Sequence, residues 1–138
     1  MNRNFNIVHP QQLNSYTQAI NIPFDSLDQI INHSADSVRC ECLEYINHDN
    51  LNQFIDIIVS KVKPKGFATF SIKNIKYYCA QFMNTEISGI ELLQQLNNMK
   101  NILSIEDIFT KIDMNTFMVV HVSDTNQNIT ITIERTSI

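Results

Sequence analysis

Glu41 and Glu44 are the side chains of this sequence best placed, by type and position, for acid–base or ligand-orienting work. They sit at the end of the run Ser37 to Leu43, which reads as a strand, and open α/β sheets bind ligands at the carboxyl ends of such strands. A carboxyl group there can orient a polar acceptor, or act as a base once burial raises its pKa. Tyr45 offers a ring for stacking, and His48 with Asp49 in the following loop has the composition of a proton relay. Each has a plainer use as well. Glu44 can cap a helix or pair with a lysine, Tyr45 can pack at a rim, and Asp49 or Asn50 suits the cap of the helix that follows. Tyr77 and Tyr78 offer a substrate opening or core packing, and His9 beside Pro10 suits a tight turn. No Ser/His/Asp or Cys/His arrangement stands out by spacing.

The three cysteines, Cys40, Cys42 and Cys79, form an odd set with no secretory segment before them, so a reducing cytoplasm is the expected compartment. Cys40 and Cys42 lie two apart on the expected strand and share a face as buried thiols. His9, His33, His48 and His121 lack zinc-type spacing, so no metal is expected. A net charge of −4 argues against nucleic acid as a partner. Lys61, Lys63, Lys65, Lys73 and Lys76 read as a solvated rim. No window approaches the roughly 20 apolar residues of a membrane span. With 138 residues, 43% hydrophobic and 17% charged, the chain is expected to form a single domain with its own core.

The elements that would position these residues follow from periodicity. Asn4 to Val8 reads as a strand stopped by His9-Pro10. Pro10 to Ala19 has helical spacing, Pro23 marks a break, and Asp25 or Ser26 caps a helix through Asn32. Ser37 to Leu43 is a strand whose polar alternation is unusual for a central parallel position. Asn50 to Val62 is the clearest helix, with Leu51, Phe54, Ile55, Ile58, Val59 and Val62 on one stripe. Pro64 and Gly66 end it and launch the strand Phe67 to Ile72. Lys73 to Met83 is expected as a helix aligning Ile75, Tyr78, Cys79 and Phe82. Ser88-Gly89-Ile90-Glu91 has capping-box spacing for a helix through about Asn97, and Ser104 to Asp107 opens another through Ile112. Thr116 to Val122 and Ile129 to Glu134 close the chain as an antiparallel hairpin. The order implies a mostly parallel sheet finished by an antiparallel strand.

This order, with the residues at its joints, resembles a class I S-adenosylmethionine-dependent methyltransferase. The resemblance rests on Cys42-Leu43-Glu44-Tyr45-Ile46, on Val62-Lys63-Pro64-Lys65-Gly66-Phe67, on Ile87 to Glu91 as an inserted helical segment, on Leu103 to Ile108 and on Ile131 to Arg135. It covers about Ala35 to Arg135, and the compact, Asn-rich form looks most like short methyltransferase-like proteins of tailed bacteriophages. It implies an α/β, truncated Rossmann-like methyltransferase fold over residues 1–138. S-adenosylmethionine would be the cofactor, with Cys40 and Tyr45 as cofactor-side candidates and Glu41, Glu44 and His48 as catalytic ones.

The departures from the family pattern are specific. No glycine precedes Gly66, and His9-Pro10-Gln11-Gln12 stands where the family's glycine-rich cofactor turn belongs. The stretch between Val8 and Ala35 is short for the family's second and third strands; Asp25 and Asp28 are the nearest acids to the ribose-binding position, and capping or surface roles suit them better. Ala35, Tyr45 and Lys65 replace the usual acid, histidine and glycine. The favoured expectation is therefore a non-catalytic interaction or structural module without cofactor. It would assemble with itself or with other protein subunits in the host cytoplasm or a virion. The alternative is an S-adenosylmethionine-dependent methyltransferase of unknown acceptor, either with an unusual cofactor site or completed by a partner subunit.

Overall fold

A computed structural model of the chain describes residues 3–8 and 20–136. The expected helix over 10–19 and the His9-Pro10-Gln11-Gln12 turn lie outside the described residues. Six strands form one sheet: β1 (Asn4–Val8), β2 (Ile20–Pro23), β3 (Ala35–Cys40), β4 (Val62–Lys73), β5 (Phe117–Asp124) and β6 (Asn128–Arg135). Their order is β2-β1-β3-β4-β6-β5, with β2, β1, β3 and β4 parallel and β6 antiparallel to both β4 and β5. The mostly parallel sheet with a closing antiparallel hairpin is thus as expected.

The two faces of the sheet differ in chemistry. Register places Phe5, Val38, Ala68 and Ile133 in one row and Ile7, Cys40, Phe70 and Ile131 in the next, all buried. The helix α1 (Leu51–Ser60) carries buried Leu51, Phe54, Ile55 and Ile58 into the same core. Each such side chain, fully buried, contributes roughly 1.5–3 kcal/mol. The opposite face carries Asn6, Arg39, Thr69 and Thr132 in one row, and Thr69 and Thr132 meet hydroxyl to hydroxyl at 3.1 Å. This accounts for the polar alternation of β3: beyond β1 the second face is only half-buried and needs hydrogen bonds rather than apolar filling.

Several elements differ from the expected ones. A four-residue strand, β2, pairs with β1, and only a single 3₁₀ turn, Leu27–Gln29, stands where a helix through Asn32 is expected. Among the described residues one strand, rather than two, separates β1 from β3. Strand β3 ends at Cys40, and two 3₁₀ turns, Leu43–Tyr45 and His48–Asn50, lead into α1. Strand β4 starts at Val62, so Lys63-Pro64-Lys65-Gly66 lies within it. Lys65 takes the left-handed φ of 65°, whereas Gly66 is needed for space. A Cβ at Gly66 would lie 2.9 Å from the Ala35 and Asp36 carbonyl oxygens and from Val62 Cγ1.

The helices α2 (Ile75–Met83) and α3 (Gly89–Leu96) form where expected but bury no residue. The Ile75, Tyr78, Cys79 and Phe82 stripe is therefore not core, because α2 packs beside α3 rather than into the sheet's apolar face. Both α3 and α4 (Ile105–Phe109) open with complete capping boxes, Ser88 with Glu91 and Ser104 with Asp107. The lysines do not form one solvated rim. Lys61 is buried with Nζ donating to Asn32 at 2.8 Å, Lys63 pairs with Asp36, and Lys73 Nζ donates to the Gln95 carbonyl at 2.7 Å. No helix among the described residues is long and apolar enough to cross a membrane.

Candidate functional site

A polar cavity of about 420 Å³ opens where the polar face of the sheet meets its carboxyl edge. Strand β3 brings Arg39 and, just past its end, Glu41; β4 brings Ser71 and Lys73. Because β6 runs antiparallel to β4, its first residues and the preceding turn arrive at the same edge, adding Thr125, Asn128 and Thr130. Glu44 and Tyr45 enter from the 3₁₀ turn after β3.

Glu44 is 3% exposed. Its Oε2 accepts the Lys73 amide at 2.8 Å, and its Oε1 is buried with no hydrogen-bond partner among the described residues. Burial pushes its pKa up, against the lowering effect of the Lys73 amide. A strap from the far side holds the turn in place. The amides of Lys100 and Asn101 donate to the Glu44 carbonyl at 2.6 and 3.1 Å, and Asn101 Nδ2 donates to the carbonyls of Leu43 and Ile46.

Glu41 Oε1 accepts from Arg39 Nε at 2.9 Å. Burial raises its pKa first, and the neighbouring Glu44 charge adds to the effect. Tyr45 is raised by burial, then by Glu44 and Cys42. The cavity thus holds two carboxyl groups that both resist ionisation and three residues, Glu41, Glu44 and Tyr45, singled out from sequence.

The other two singled-out residues are placed elsewhere. His48 is exposed and outside the cavity, its Nδ1 3.3 Å from Asn101 Oδ1, because the second 3₁₀ turn carries it away from the sheet edge. It is not brought together with the two glutamates. Cys40 lies in the core with Sγ 3.7 Å from Cys42 Sγ, and that contact together with burial raises the Cys42 thiol pKa. Both thiols are buried, as expected; Cys79 is exposed. Asn50, not Asp49, holds the cap position of α1, without a side-chain hydrogen bond. Among the described residues no group of three His, Cys, Asp or Glu is arranged to hold a metal ion.

The sequence reading missed Arg39, Ser71, Lys73, Thr125, Asn128 and Thr130. Arg39, next to last in β3, and Lys73, last in β4, were readable from their place at the carboxyl ends of adjacent strands. The hairpin residues had no such signal, since only the β4–β6 register brings them here.

The sheet changes direction between β1 and β3: the chain leaves β1 for β2 on one side and returns to place β3 on the other. Ligands of open α/β sheets bind in the crevice at such a point. Asp25 lies two residues beyond the end of β2 at this same edge, exposed and without a helix-capping bond. Of the two residues expected as the cap, Ser26 holds the position, without a side-chain hydrogen bond.

No family model matches the sequence, and no curated protein sequence matches it. Solved structures do match. A SAM-dependent methyltransferase from Archaeoglobus fulgidus superposes with a TM-score of 0.65 at 10% identity, over 97% of this chain and 86% of that one. This chain has a class I methyltransferase-like fold. A putative type 11 methyltransferase from Sulfolobus solfataricus gives a TM-score of 0.58 at 12% identity, covering 99% of this chain and 72% of its own. The N-methyltransferase NodS from Bradyrhizobium japonicum, solved with S-adenosyl-L-homocysteine, gives 0.56 at 12% identity, covering 97% and 66%. The methyltransferase-like sheet order is what aligns the Glu44 cavity beside the β1–β3 crevice.

Proposed function

We propose that this chain is an S-adenosylmethionine-dependent methyltransferase whose acceptor occupies the Glu44 cavity. The observation that carries the reading is the buried, half-satisfied Glu44 carboxylate in a polar cavity at the carboxyl ends of β3 and β4, one strand from the crevice between β1 and β3. The structural likeness to methyltransferases supports it at the level of fold.

The described part of the crevice suits the cofactor in one concrete respect. Asp25 supplies an exposed carboxylate at the end of β2, a group that accepts hydrogen bonds from vicinal hydroxyls such as those of a ribose. When bound, the cofactor supplies an electrophilic methyl group on a sulfonium centre. The chain's own residues do the positioning, which is the main protein contribution in such a transfer. Glu44 and Glu41 orient the acceptor, Tyr45 and Ser71 shape the cavity, and the Lys100–Asn101 strap holds the Glu44 turn rigid.

Isothermal titration of the purified chain with S-adenosyl-L-homocysteine tests the proposal. Saturable one-to-one binding is expected, weakened about tenfold by Asp25→Asn, a loss of about 1.4 kcal/mol. Absence of heat at any accessible concentration removes the reading.

A second reading, a non-catalytic module that assembles with itself or other subunits, is favoured by a different surface. Edge strand β5 exposes Met118, Val119, Val120 and Val122, and α2–α3 expose Met83 and Ile90 at 81% and 71%. Exposed apolar edges are commonly covered by pairing. Sedimentation velocity supports this reading if the chain self-associates and Val120→Lys abolishes it; a monomer at all concentrations argues against self-assembly.

A further inference from the structure

The Glu44 carboxylate has one oxygen that its protein surroundings leave unanswered. Oε2 takes the Lys73 amide, but Oε1 is buried without a partner among the described residues, in a group 3% exposed. An unpaired buried acceptor of this kind has lost its hydrogen bond to water without a replacement, at a cost that grows when it is charged. A ligand that brings a donor to Oε1 recovers that cost.

The neighbours define which donor. Arg39 Nε is committed to Glu41 at 2.9 Å, and Lys73 Nζ is turned to the Gln95 carbonyl at 2.7 Å. The Thr130 hydroxyl donates to Ser71 Oγ at 3.4 Å. These particular N–H and O–H groups turn to protein acceptors, and Glu44 Oε1 is the buried acceptor that lacks a donor among the described residues. An anionic ligand would meet Arg39 and Lys73 as well as Glu41 and Glu44, but it brings no donor to Oε1. A nitrogen cation donates there and offsets charge, and charge-assisted bonds are about twice as strong as neutral ones. A volume of about 420 Å³ lies within the range of small-molecule sites.

We infer that, within the methyl-transfer reading above, the Glu44 cavity takes the amine group of a small polar molecule, anchored on Glu44 Oε1. The substrate class is thereby narrowed from any small acceptor to an amine. Glu44 acts as the recognising acceptor, and the Glu41–Arg39 pair lies beside it in the cavity wall.

The test uses the isotope-labelled full chain without cofactor, followed by amide chemical shifts. Three probes matched in shape are titrated: tyramine, 2-(4-hydroxyphenyl)ethanol and 4-hydroxyphenylacetate. Tyramine is expected to shift the amides of Glu44, Tyr45, Ser71 and Lys73 and to bind at least about tenfold tighter than the alcohol or the acid. Glu44→Gln is expected to lose about tenfold in tyramine affinity while the rest of its spectrum stays in place. Equal binding of the three probes, preference for the acid, no shifts from any probe, or undiminished tyramine binding by the variant each overturns the inference. Selectivity in the unmodified chain decides the matter even if the variant folds poorly. Tyramine selectivity without homocysteine-nucleoside binding would keep the amine site and remove the methyl-transfer reading; the reverse pattern would remove the amine site alone.

Discussion

The Lys73 amide donates to Glu44 Oε2 at 2.8 Å, joining the last residue of β4 to the turn that follows β3. Two parallel strands thereby share one buried carboxylate at their carboxyl ends, with its second oxygen unmatched. The stability of this edge and the chemistry of the cavity are therefore coupled through one side chain.

Glu44 should destabilise the fold increasingly as pH rises. Burial raises its folded pKa above 4.5, so the folded state holds its proton longer than the unfolded chain. The stability that goes with that proton is fully present below pH 4.5 and is lost as pH rises through the folded pKa. Glu44→Gln lacks this dependence. Urea midpoints of the two proteins should diverge in favour of the Gln variant from about pH 4.5 upward, in the window set by the raised pKa. Parallel curves would contradict the burial argument.

Asn101 should matter more than its place in an irregular segment suggests. Its side chain donates to the Leu43 and Ile46 carbonyls, and its amide to that of Glu44. Asn101→Ala leaves buried carbonyls short of donors and is expected to cost about 1–3 kcal/mol in urea unfolding. It should also loosen the Glu44 turn, visible as faster amide exchange at Glu44 and Tyr45.

Lys65 and Gly66 should respond in opposite directions. Lys65 holds a left-handed φ of 65°, which costs a side-chain-bearing residue roughly 1–2 kcal/mol, so Lys65→Gly is expected to raise stability by up to about 1 kcal/mol. Gly66→Ala forces a Cβ to within 2.9 Å of two backbone oxygens and is expected to cost about 1–3 kcal/mol. Thermal unfolding of the two variants checks both signs.

Much of this fold was legible because apolar period and strand chemistry agree. The α1 stripe of Leu51, Phe54, Ile55 and Ile58 is buried as its spacing implies, and Ile131 and Ile133 face the core from the closing hairpin. The same logic failed for α2. Helical spacing says that one side is apolar, not that anything covers it, and Phe82 stays exposed. Strand β2 escaped because four residues ending in proline carry little pattern, and its pairing to β1 is a backbone property. At the site, Glu41, Glu44 and Tyr45 were readable from their place after a parallel strand. His48 was not, since its orientation depends on a 3₁₀ turn. Thr125 and Asn128 reach the cavity only through antiparallel register.

Under the proposed methyl-transfer reading, an adenosyl ligand binds at the β1–β3 crevice, beside the Glu44 cavity. Amide chemical-shift mapping with S-adenosyl-L-homocysteine tests it most directly. Saturable shifts at Ile7, Val8, Asp25 and Glu41 are predicted, with smaller ones at Glu44 and Tyr45. A spectrum unchanged at saturating ligand, or shifts confined to β5 and α3, would contradict it.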